Sequence, residues 1–69
     1  MAEEYEDDCI ILEDVVCRRD TGQALYCEID GKMKWIPQSL VHSDSEVYKK
    51  GTEGNLIIPR WFAEQEKLV

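Results

Sequence analysis

The chain has 69 residues, 43% of them hydrophobic, and a net charge of −7, which suits one small domain with a thin core. No apolar run approaches the roughly 20 residues that a membrane helix needs. The acidic start, Met1-Ala2-Glu3-Glu4, lacks the basic-then-apolar layout of a secretion signal, so the expectation is a cytoplasmic protein with no membrane contact.

Charge is uneven along the chain. Glu3, Glu4, Glu6, Asp7 and Asp8 put five acids in the first eight residues, whereas the remainder has ten acids against eight bases and carries only −2. This predicts a solvated, mobile acidic tail over residues 1–8 and a single β-rich domain over residues 9–69. Such a tail repels phosphates and argues against a nucleic-acid partner held by a dominant basic face.

Cys9-Ile10-Ile11-Leu12 and Val15-Val16-Cys17 are apolar clusters split by Glu13-Asp14. β-Branched residues dominate, so the stretch predicts one strand with a kink or bulge at the charged pair. Gly22 then supplies the positive φ of a tight reversal. Residues 23–30 alternate, with Leu25, Cys27 and Ile29 on one face. Asp30-Gly31 is a strong signal for a two-residue type I′ hairpin. The return strand, 32–36, places Met33 and Trp35 on one side and Lys32 and Lys34 on the other. Trp35 is expected in the core, and the lysines are expected near Glu28 or Asp30.

Pro37 ends that strand or places it at an edge. Val47-Tyr48 and residues 55–58 suggest two further short strands. Pro59 opens a helix at its first position, with Trp61, Gln65 and Leu68 on one face, docking through Trp61 and Leu68. The fold class is α+β, mainly β. It takes the form of a small antiparallel sheet, or a partly open SH3-like or OB-like barrel of three to five strands, with a short C-terminal helix.

Chemistry is thinly represented. Ser39, Ser43, Ser45 and Thr21 have only His42 as a base, and no glycine-rich phosphate loop occurs. The gaps between Cys9, Cys17 and Cys27 lack the close pairing of a zinc knuckle, and their odd number is a poor disulfide framework. Three small buried side chains on strands is the simpler reading. Neither catalysis nor a cofactor is expected. Tyr48, Arg60, Trp61 and Phe62 are instead the residue types enriched at interaction hot spots, and Trp61 is the leading candidate contact.

Asp30-Gly31-Lys32, then Trp35-Ile36-Pro37-Gln38-Ser39, then residues 58–68 together resemble a set of small uncharacterised phage and prophage proteins. Their pattern is W-[I/L]-P-x-S, a variable loop, and V-P-x-W-x-A-x-x-K-x-L. The resemblance covers about residues 22–68. Gln38 stands where the pattern commonly has lysine, and one extra residue separates Ala63 from Lys67. It implies no activity, but it does imply a phage genome and a bacterial cytoplasm. Residues 35–41 also resemble the proline-containing turn of SH3-like barrels.

Three function classes follow. The first is a protein-interaction module, such as a counter-defence inhibitor of the anti-CRISPR kind, acting on a host protein complex. The near-neutral body argues against full mimicry of DNA. The second is a single-stranded nucleic-acid accessory factor using Arg18, Arg19, Lys32, Lys34 and Trp35. The third is a homo-oligomeric structural component, for which a small unstapled core makes a homodimer reasonable.

Overall fold

The structure, a computed structural model, describes residues 2–5 and 8–68. Of the acids expected in a tail, Glu6 and Asp7 lie outside the described residues, as do the side chains of Glu3 and Glu4. In chain order the elements are β1 (Ala2–Tyr5), β2 (Cys9–Asp20), β3 (Ala24–Ile29), β4 (Lys32–Pro37), a single 3-10 turn (Gln38–Leu40), β5 (Glu53–Pro59) and α1 (Arg60–Gln65). They form an open, antiparallel five-stranded sheet in the order β1-β2-β3-β4, with β5 also on β2. Of the two forms compatible with the sequence, the open sheet is the one observed.

β2 is the spine. Ile10, Ile11 and Leu12 pair with β1 on one edge and with β5 on the other, and Val16 pairs with both β3 and β5. One strand serves three neighbours because it is bent. The register on β5 slips between Leu12 and Val15, and Asp14 takes φ 58°, a left-handed conformation that aspartate tolerates better than most residues. This is the bulge expected at Glu13-Asp14. A second slip between Cys17 and Arg19 follows it.

The first residues are not simply a solvated tail. Ala2–Tyr5 add to β2 as β1, and the Tyr5 hydroxyl donates to the Asp44 carboxylate while its ring meets His42 edge-on at 5.2 Å. Tyr5, the one large apolar-bodied side chain among the acids, ties this strand down.

Alternate residues of the strands form the core. Ile10, Leu12, Val15, Cys17, Leu25, Cys27, Ile36, Leu56 and Ile58 are all buried in one cluster. The loop between the 3-10 turn and β5 closes the far edge of β5. His42 N–H donates to the Ile57 carbonyl, Ser45 Oγ both accepts from and donates to Ile57, and Glu46 bonds Asn55 through backbone and carboxylate. Gly54 is required here: at φ 129° its absent Cβ would sit 2.5 Å from Glu46 Oε1. Val47, expected in a strand with Tyr48, is instead a buried plug from this loop, which meets β5 through a mixture of backbone and side-chain bonds in place of a regular ladder.

Helix α1 differs from expectation in extent and in docking face. Pro59 is the last residue of β5 and caps the helix, and six helical residues follow. Lys67 takes φ 58°, the Leu68 N–H reaches the Ala63 carbonyl at 2.8 Å, and the Lys67 N–H reaches Glu64 at 3.1 Å. This is a Schellman stop, usually announced by glycine, with Leu68 folding back onto the core. Phe62 and Ala63 are the buried residues, so the helix docks through them and not through Trp61.

Candidate interaction face on the outer sheet

Which face of the β3–β4 hairpin is buried follows from its turn. Asp30 and Gly31 have φ of 51° and 80°, the paired positive values of a type I′ turn, and Ile29 lies opposite Lys32. That register forces Leu25 opposite Ile36, Cys27 opposite Lys34 and Tyr26 opposite Trp35. Leu25 and Ile36 are both fully buried, so Lys32 and Lys34 share the inner face near the open end of the core.

Trp35 and Met33 therefore project from the outer face, 48% and 38% exposed. The expectation of Trp35 as a core residue is overturned: Ile36, of opposite parity, takes that place. The expected pairing of the lysines with Glu28 fails for the same reason, since Glu28 lies on the outer face opposite Met33. Glu28 instead accepts from Arg18 through Nε at 3.1 Å and Nη2 at 2.8 Å. Both groups are substantially exposed, so this pair positions Arg18 more than it stabilises the fold.

Across the outer face Arg19, Tyr26 and Trp35 form one row over β2, β3 and β4. The rings of Tyr26 and Trp35 lie 4.5 Å apart at 32°. Such a contact adds roughly 0.5–1.5 kcal/mol beyond burial, enough to hold the indole in a defined orientation. The bulge after Cys17 lets consecutive Arg18 and Arg19 serve the same side, Arg18 reaching Glu28 and Arg19 heading the row. Arg18, Arg19, Asp20, Thr21, Trp35 and Lys50 line one shallow cleft beside the row. The Asp20 turn below it is braced: Asp20 Oδ1 accepts from the Gly22 N–H at 2.8 Å and from Gln38 Nε2 at 2.7 Å.

The structure thus brings together Arg18, Arg19 and Trp35 of the basic set, adds Lys50, and sends Lys32 and Lys34 to the other face. It does not assemble the proposed aromatic contact around the helix. Trp61 is 54% exposed, packed edge-on against Phe62, but Phe62 is buried. Arg60 faces Asp8, with Nε 3.4 Å from its carboxylate, and its N–H donates to the Asp8 carbonyl. Tyr48 bonds through its N–H to Thr52, beside the start of β5, and lines a recess with His42, Ser43 and Ser45. Tyr48 and Trp61 thus belong to opposite ends of β5.

Set against protein-family profiles, curated proteins and solved structures, the chain matches none of them.

Beneath the row, Cys17 and Cys27 face each other across β2 and β3. Burial pushes the Cys27 thiol up to about 12, helped by the charge that Cys17 would carry and by the hydrogen bond between the two thiols. Burial also raises Cys17, whose Sγ lies 3.2 Å from the Arg19 carbonyl. Cys9 is buried as well, so all three cysteines sit as protected side chains on strands. No helix among the described residues is long and apolar enough to cross a membrane.

Proposed function

We propose that this protein is a small protein-interaction module whose contact surface is the outer face of β2, β3 and β4. The observation that carries the reading is the row Arg19–Tyr26–Trp35, whose paired rings stay partly exposed among the described residues, Trp35 at 48%. Exposing an indole forgoes burial that a thin core could use, and Trp, Tyr, Arg and Met are the types concentrated at interface centres. The phage-type pattern of residues 22–68 supports a bacterial host protein complex as partner and a counter-defence role. The test is affinity capture from lysate of a bacterial host by the wild-type protein and by Trp35→Ala. A set of proteins held by the first and lost by the second supports the reading. Equal capture by both removes the outer face from it.

A second reading rests on the cleft. Arg18, Arg19 and Lys50 beside Trp35 combine cations with a stacking surface, the pairing used for single strands. Salt-dependent binding of a short oligonucleotide, abolished by Lys50→Glu, would favour it. No binding at low salt would dismiss it.

A further inference from the structure

The outer face ends at β4, and β4 is an open edge. The Gln38 N–H donates to the Gln23 carbonyl, which makes 23 and 38 a hydrogen-bonded pair. Alternation along the antiparallel ladder then assigns inward bonds to Lys32, Lys34 and Ile36, and leaves Met33, Trp35 and Pro37 directed away from β3. Pro37 fits this assignment, since a residue with no N–H belongs where no ladder bond is made. Met33 and Trp35 each present an N–H and a carbonyl to the free edge, and among the described residues β4 pairs only with β3.

Side chains beside this edge have a definite order. Met33 and Trp35 stand on the outer face, while Lys32 and Lys34 stand on the inner one. A strand added here would meet apolar surface and positive charge at alternate positions. A second copy of β4 fits poorly, because antiparallel pairing of two such strands brings lysines together.

Resting on the interaction reading above, we infer that the partner contributes an extended segment in which acidic and apolar residues alternate. The segment adds to the free edge of β4 as a further strand. Its acids face Lys32 and Lys34, its apolar residues cover Met33 and Trp35, and its backbone bonds those of Met33 and Trp35.

The test uses the full-length protein, 15N-labelled, titrated with a capped heptapeptide of four glutamates alternating with three valines. The expected result is saturable shifts and slowed exchange at the Met33 and Trp35 amides. A peptide of the same composition in two blocks binds more weakly, and so does one N-methylated at the alternate amides that face β4. Met33→Pro removes an outward N–H together with the Met33 side chain, so it is read against Met33→Ala, and it weakens binding by roughly a further tenfold. Lys34→Glu weakens it as well.

Unchanged affinity for the N-methylated peptide overturns the inference without relying on any variant's folding. Absence of peptide binding overturns it too, as does equal binding of the block peptide. Slowed exchange at the same amides on raising protein concentration alone would assign the edge to a second copy. The same shifts from an oligothymidylate, with none from the peptide, would assign the surface to nucleic acid. If Met33→Pro still captures the partners that Trp35→Ala loses, edge addition fails while the outer-face reading stands.

Discussion

The two faces of the β2–β3–β4 sheet are made from the same twelve-residue spine and the same hairpin, yet they differ in what they bury. On the inner face Leu25, Ile36, Cys17 and Cys27 are sealed from solvent. On the outer face, one residue along β3 and β4 and past the bulge on β2, Arg19, Tyr26 and Trp35 stand in a row with charged neighbours. The larger aromatic groups are on the exposed side. In a chain this small, burying Trp35 would be the obvious way to thicken the core, and the fold instead closes over Ile36. If the outer face is the contact surface, stability and contact are divided by strand parity on β3 and β4 and by the bulge after Cys17 on β2.

The largest expected effect that tests this division is on the inner face. Ile36→Ala should cost about 2–5 kcal/mol, a large share of what a domain of this size has, measured by urea unfolding. A cost below 1 kcal/mol would mean that the inner face is not the core. The thiols give a second inner-face effect. Cys27 is neutral in the fold up to about pH 12 against an ordinary value of 9.0, so the folded form holds its proton where the unfolded chain gives it up. That contribution is fully present below pH 9 and is lost as pH rises from there towards 12. Stability should fall over that window, and Cys27→Ala should flatten the fall.

Outer-face changes should be smaller. Trp35→Ala removes a stacked but half-exposed ring, at a cost on the order of 1 kcal/mol, which scanning calorimetry would register as a Tm lower by about 4–8 °C. Arg18→Ala breaks an exposed ion pair with Glu28 and should change stability by about 0.2–1 kcal/mol, less still at high salt. If either outer-face variant unfolded as readily as Ile36→Ala, the comparison would collapse.

Much of this division can be read from the sequence, more than the hydrophobic pattern alone suggests. Asp30-Gly31 sets the hairpin register, the alternation of Leu25, Cys27 and Ile29 sets the buried face, and together they require Ile36 inside and Trp35 outside. Assigning Trp35 to the core weighs the size of the side chain above its parity, and the turn decides against that. The kink at Glu13-Asp14 is legible for a local reason, a charged pair interrupting β-branched residues.

Other features have no local signal. Lys50 joins Arg18 and Arg19 only because the loop before β5 folds back on the end of β2, where the Gly51 N–H donates to the Cys17 carbonyl. The helix stops at a lysine in a conformation that glycine usually announces. The acidic start reads as a tail by charge, and its pairing with β2 is accompanied by a long-range bond from Tyr5 to Asp44 that charge does not announce.

Whether Trp35 serves contact more than the fold is decided by affinity capture with wild type and Trp35→Ala at matched folded fraction, established by urea unfolding of each. Trp35→Ala should remain folded and lose the captured partners. A folded Trp35→Ala protein that captures as wild type does would remove Trp35 from the contact.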